Sequence, residues 1–214
     1  MTPSDPGSML HAILTRGPVI PVVTLDDAEL GVDVAHALVA GGVRVIELTL
    51  RTPRALAVIR AIAAAVPDVA VGAGTVLDPV AFAHAVDAGA SFIVSPGATP
   101  SLLDFAARSG VSYLPGVATV SEAMSARERG FRALKLFPAT AVGGTTLLSA
   151  VAPVLPDLAF CPTGGITVAD APAFLACSNV VCIGGSWLTP KALLAARDLA
   201  AITRLAAATA SLRV

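Results

Sequence analysis

Eight times along this chain a short run of β-favouring residues gives way to an alanine-rich stretch with helical spacing, and this repeat limits the available folds more than any other feature. The runs are PVIPVV (18–23), VRVIELTL (43–50), VAVGAG (69–74), SFIVSP (91–96), VSYLPG (111–116), RALKLFP (132–138), LAFCPTGG (158–165) and VVCIGG (180–185). The intervening stretches tend to begin after Asp, Ser, Thr or Pro and to end at Gly or Pro. They run from Asp26 to Gly41, Pro53 to Val66, Pro79 to Gly89, Pro100 to Gly110 and Val120 to Gly130, with three more after Gly143, Val168 and Pro190. Successive strand runs start 20 to 26 residues apart. Eight βα units predict an α/β fold, a TIM-type (β/α)8 barrel, as a single compact domain over residues 1–214, with residues 1–16 as a helical or flexible lead-in. The fold typically takes about 250 residues, so this is a small example. An open doubly wound sheet is the competing architecture, but no GxGxxG follows the first strand.

Composition narrows the function classes. The hydrophobic fraction of 55% and mean hydropathy of +0.80 are inflated by alanine, and no uninterrupted apolar run is long enough to span a bilayer. The start, MTPSDPGSMLHAIL, is polar and carries Pro and Gly, unlike a basic segment followed by a compact apolar one, so the expected location is the cytoplasm. A net charge of -1 and 4% aromatics offer neither a basic face nor stacking platforms, and no nucleic-acid partner is expected. Cys161, Cys177 and Cys182 have no metal-ligand spacing and read as buried, reduced thiols.

Strand parity then separates the inside of the barrel from the outside. In VRVIELTLR, Ile46, Leu48 and Leu50 share one side, towards the outer helices, while Val45, Glu47, Thr49 and Arg51 share the other. Glu47 thus points into the barrel, and Arg51 lies at the C-terminal end of its strand, where barrel active sites are built. The chain has only two lysines among its 14 basic residues. One of them, Lys135, sits between leucines in RALKLFP, and parity turns Ala133, Lys135 and Phe137 inward. Removing an ammonium from water favours its neutral form, which makes an interior amine available to attack a ketone. A purely structural ion pair between Lys135 and Glu47 would place the same two residues inside. Lys191, in TPKALLAARD, reads as a surface charge.

Two glycine pairs end late strands: Gly164 and Gly165 in CPTGGI, and Gly184 and Gly185, followed by Ser186, in CIGGSW. Loops after the seventh and eighth barrel strands, with a helix N-terminus, commonly hold a phosphate on backbone N–H groups, although tight turns would also explain glycine there. Thr75, just past the third strand, either binds a carboxylate or caps the helix that begins near Pro79. His11, His36 and His84 fall away from strand C-termini and read as surface residues, and no metal site emerges.

The segments VIELTLRT, VGAGTVL, SPG, LPGVAT, KLFPA, FCPTGGI and CIGGSWL, in this order from Gly17 onward, resemble the family of bacterial aldolases that cleave 2-keto-3-deoxy-6-phosphogluconate. The resemblance implies a class I, Schiff-base barrel enzyme without a cofactor. It implies a homotrimer that yields pyruvate and glyceraldehyde 3-phosphate in the Entner–Doudoroff pathway, with 4-hydroxy-2-oxoglutarate as a second substrate. By motif, Lys135 matches the Schiff-base lysine and Glu47 the proton-transfer residue. Arg51 and Thr75 match the holders of the pyruvyl carboxylate, Thr163 and Pro96 match further wall positions, and Gly164, Gly165, Gly185 and Ser186 match the phosphate loops. The chain departs from the family where FPAE is common, with Thr140 in place of the glutamate. The alternatives are the galactonate form of the same substrate, a phosphosugar isomerase or synthase in which Lys135 acts only as a charge, and a binding barrel with Glu47 and Lys135 locked as an ion pair.

Overall fold

A computed structural model of the protein describes residues 6–212. Its strands are β1 (Val19–Val23), β2 (Val45–Thr49), β3 (Ala70–Gly74), β4 (Phe92–Val94), β5 (Tyr113–Leu114), β6 (Gly116–Val117), β7 (Ala133–Leu136), β8 (Ala159–Pro162) and β9 (Ile183–Gly185). Every pairing is parallel, in the orders β5-β4-β3-β2-β1-β9 and β6-β7-β8. The two sheets meet at both ends. β5 and β6 are one stave interrupted at Pro115, whose ring supplies no N–H but whose carbonyl accepts from Lys135 N at 2.8 Å. Bridges from Phe160 to Val180 and from Thr163 to Gly184 join β8 to β9. The result is an eight-stave closed barrel at the eight expected places.

The helices are α1 (Pro6–Leu14), α2 (Ala28–Ala40), α3 (Ala55–Ala65), α4 (Pro79–Asp87), α5 (Pro100–Ser109), α6 (Val120–Glu128), α7 (Gly144–Val151), α8 (Ala171–Leu175), α9 (Lys191–Ala195) and α10 (Leu199–Ala210). Their starts have local chemical causes. Asp78 and Thr99 accept the orphan N–H groups of Ala81 and Leu102, each ahead of a proline at the first helical position. Thr119 and Glu122 form a reciprocal capping box at α6. The single helical stretch expected after Pro190 is instead two helices. The chain breaks at Arg197, with φ of 50°, and restarts where the Asp198 side chain accepts from Ala201 N at 2.9 Å.

Alternation sorts the core into two layers. Ile46, Leu48, Val71, Ala73, Ile93 and Ile183 belong to the layer packed under the helices. Ile20, Val45, Ala70, Phe92, Val94, Leu114, Cys161 and Cys182 form a second cluster inside the barrel. The helical lead-in joins that inner cluster: Leu10, Ile13 and Leu14 of α1 pack into it, opposite the strand C-termini, and Ser112 Oγ donates to the Pro6 carbonyl at 3.2 Å. Residues 1–5 of the lead-in lie outside the described residues. Among the described residues, no helix is long and apolar enough to cross a membrane.

Candidate active site

With hydrocarbon filling the lower barrel, the first charged groups met from below are Glu47 on β2 and Lys135 on β7, each 4% exposed. Lys135 Nζ donates to Glu47 Oε1 at 3.0 Å and to Oε2 at 3.3 Å. Neither charge could stay at this depth without the other, because an uncompensated ion in such surroundings carries a large desolvation cost. The Phe137 ring stands next to the amine, its centre 5.5 Å from Nζ. Parity therefore placed Glu47, Lys135 and Phe137 on the lumen side.

Space for the carboxylate comes from β3. Thr49 is in register with Gly74, and a Cβ on Gly74 would collide with Glu47 Oε1, Cγ and Cδ. Sequence reasoning passed over Gly74, although the small-residue run Val-Gly-Ala-Gly in the third strand was the signal available. Thr49, fully buried two residues after Glu47, shares a 2.7 Å hydrogen bond with Thr24 at the end of β1.

The other expected residues ring the C-terminal mouth. Arg51 Nε donates to Thr75 Oγ1 at 3.3 Å, which joins the two residues expected to hold a carboxylate. Thr75 has φ of 62° and is not the cap of α4, a role taken by Asp78. Pro96 follows Ser95, whose hydroxyl shares a 2.6 Å hydrogen bond with the Tyr113 hydroxyl and accepts from Gly116 N at 3.3 Å. Burial pushes the Tyr113 phenol well above its ordinary value, so it stays protonated and anchors this wall. Thr163, buried at the end of β8, lies against Gly184, where a side chain would meet it.

Gly164 and Gly165 adopt φ of 101° and 79°, a conformation that L side chains rarely take. Among the described residues, the N–H groups of Gly164, Gly165 and Ser186 have no protein acceptor. The close approach of Gly185 to Trp187, whose ring a Cβ would strike, gives that glycine a packing role as well. The helix N-terminus after β9 stands back from the glycine pair, after Pro190 as expected. Ser186 opens a turn, and α9 starts only at Lys191 and runs for five residues.

The thiols differ from one another. Cys161, in register with Lys135, and Cys182 are buried in the inner cluster of the barrel, whereas Cys177 is only half-buried, contrary to the expectation of three buried thiols. A hydrogen bond with Cys161, burial and the nearby Glu47 charge all push the Cys182 thiol up. His11, His36, His84 and Lys191 are exposed, and no cluster of three or more metal-ligating side chains occurs among the described residues.

A closed (β/α)8 barrel with an amine and a carboxylate paired below its C-terminal mouth has the architecture of a barrel aldolase, an aldehyde-lyase. The chain belongs to the KDPG and KHG aldolase family, whose model matches residues 10–205. It is 50% identical to the KHG/KDPG aldolase of Escherichia coli K12 over 196 residues, 92% of each chain. It is 49% identical to the 2-dehydro-3-deoxy-phosphogluconate aldolase of Dickeya dadantii over 194 residues, 91% of each. The crystal structure of the KDPG aldolase from Legionella pneumophila, with pyruvate captured as a covalent carbinolamine intermediate, superposes with a TM-score of 0.92 at 40% identity. It covers 97% of this chain and 99% of that one.

Proposed function

We propose that this protein is a class I aldolase that cleaves 2-keto-3-deoxy-6-phosphogluconate to pyruvate and D-glyceraldehyde 3-phosphate, with Lys135 as the nucleophile. The observation that carries the reading is the buried contact of Lys135 Nζ with Glu47 in a chain half identical to KHG/KDPG aldolase. The whole chain acts as one barrel domain, in the cytoplasm and as a homotrimer. 4-Hydroxy-2-oxoglutarate is a second substrate, in keeping with the double name of the Escherichia coli relative.

Chemistry starts with a proton. Nζ passes one to Glu47 across their 3.0 Å contact, and the neutral amine adds to the C2 carbonyl of the substrate. Glu47 returns that proton to the departing hydroxyl, and loss of water from the carbinolamine leaves a protonated imine. Glu47, again ionised, takes the proton of the C4 hydroxyl as the bond between C3 and C4 breaks. That electron pair moves into the imine to give an enamine, and the aldehyde leaves. Glu47 returns its proton to C3, and hydrolysis of the imine frees pyruvate and Lys135. Arg51, steadied by Thr75, holds the substrate carboxylate through its planar fork and so fixes C2 against Nζ. Phe137, Pro96 and Thr163 wall the pocket, while Gly164, Gly165, Gly184, Gly185 and Ser186 form the cradle for the phosphate.

Borohydride reduction in the presence of pyruvate, followed by peptide mapping, tests the assignment. The expected product is a single adduct on Lys135, absent from Lys135→Ala. A folded protein that cleaves the substrate without forming an adduct would shift the reading to a barrel in which Lys135 acts only as a charge.

A further inference from the structure

Beyond β7, the chain passes through a cis Phe137-Pro138 peptide to Thr140, which lies on the Gly164–Gly165 loop. Thr140 reaches this loop twice. Its backbone N–H and its side-chain hydroxyl both donate to the Gly164 carbonyl, each at 3.2 Å, and fill both lone pairs of one oxygen. A Cβ on Gly165 would collide with Thr140 Oγ1, so the hydroxyl occupies the space that a side chain there would need.

The carbonyl of Gly164 and the N–H of Gly165 belong to one planar trans peptide and point in opposite directions. Holding the carbonyl therefore aims the N–H away from Thr140. Two consecutive glycines with positive φ have no side chains to restrict this peptide, and without an external anchor it would be free to rotate. The N–H of Gly165 has no protein acceptor among the described residues. Donors aimed before an anion arrives bind it more tightly than donors that must first be ordered.

We propose that Thr140 is a positioning residue for the phosphate end of the substrate: its hydroxyl locks the Gly164–Gly165 peptide so that the Gly165 N–H is set to receive a phosphate oxygen. Thr140 itself touches no reacting atom. The inference rests on the reading of this loop as the phosphate cradle, and it assigns a side chain outside that cradle the task of shaping it.

The test is steady-state kinetics of wild type, Thr140→Val and Thr140→Ser with three substrates: 2-keto-3-deoxy-6-phosphogluconate, its unphosphorylated counterpart 2-keto-3-deoxygluconate, and 4-hydroxy-2-oxoglutarate. Thr140→Val should raise KM for the phosphorylated substrate about three- to ten-fold, the range for one lost hydrogen bond. Its kcat should hold within two-fold, and KM for the two unphosphorylated substrates should not change. Thr140→Ser, which keeps the hydroxyl, should restore the wild-type value. Borohydride trapping with pyruvate should be equal in all three proteins, which checks that the variants are folded. Equal effects of Thr140→Val on phosphorylated and unphosphorylated substrates, or no effect on either, would overturn the proposal while leaving the cradle intact. A wild type with no preference for the phosphorylated substrate would instead overturn the phosphate reading, and the proposal with it.

Discussion

Lys135 and Glu47 stand on opposite sides of the barrel, on the sixth and second of its eight staves, and their side chains meet across the lumen at 3.0 Å. The contact pins two distant halves of the sheet together and also brings an amine within hydrogen-bond reach of a carboxylate. Its energetic signature differs from that of a surface pair. Lys135→Met or Glu47→Gln alone should destabilise the protein by about 3 kcal/mol, because one substitution strands a buried charge or a buried amide. The double variant should recover at least half of that loss. Urea unfolding of the three variants measures it, and additive losses would mean that the pair is not coupled.

Catalysis should separate the two partners. Lys135→Ala should lose the pyruvate adduct completely. Glu47→Gln should lower kcat by about 10²- to 10⁴-fold, the usual share of general acid–base catalysis, yet still be trapped by borohydride on long incubation. Intact mass against time distinguishes the variants, and equal trapping in both would contradict the assigned roles.

Gly74→Ala tests the room left for the carboxylate. The new methyl group would clash with Glu47 Oε1, Cγ and Cδ and force the side chain off its contact with Lys135. A displacement of about 1 Å is sufficient to cost roughly 10²-fold in rate. The expectation is a fall of that size in kcat/KM with the secondary structure retained by circular dichroism.

Arg51→Lys should raise KM for pyruvate in the condensation direction about ten-fold while leaving the fold intact. Lysine has a single point of charge where arginine presents a planar fork, and it lacks the Nε that donates to Thr75. Arg51 is exposed at the mouth, so thermal stability should barely change. A large drop in Tm would instead make it a structural residue.

Acid should release one surface tie. The Arg127 guanidinium donates from Nε to both oxygens of Asp157 at 2.9 Å, and Arg132 Nε lies 3.2 Å away. These bonds hold the Asp157 carboxyl below its ordinary value of 3.8. A carboxylate depressed in the folded state contributes stability that is fully present above the unfolded value and is lost as pH falls through the folded one. The Tm difference between wild type and Asp157→Asn should therefore be constant from neutral pH down to about pH 5, begin to shrink near 3.8 and vanish only once the pH is below the depressed folded value. Scanning calorimetry across that range checks the sign, and a difference that grew on acidification would contradict it.

Much of this molecule can be read in one dimension. Strand periodicity of two and helix signals at Asp, Thr, Pro and Gly act over a few residues, so the eight βα units, the inward turn of Glu47 and Lys135 and the C-terminal position of Arg51 follow from local rules. The surface placement of Lys191 and of the three histidines follows in the same way. Local rules did not reveal the break at Arg197, because Asp198 restarts a helix that propensity alone would have carried through. Nor did they decide the choice at Thr75, since Asp78, three residues later, took the cap and left the threonine hydroxyl to Arg51.

What only the tertiary structure decided are contacts between residues far apart in the chain. Register between β2 and β3 puts Gly74 against Glu47, closure of the barrel carries Lys135 across to the same carboxylate, and the turn after β7 lays Thr140 on Gly164. Sequence determined which side of each strand a residue takes, because alternation is a property of one strand. Distance between strands is a property of the closed sheet, and only closure brings an amine and a carboxylate 88 residues apart to within 3.0 Å.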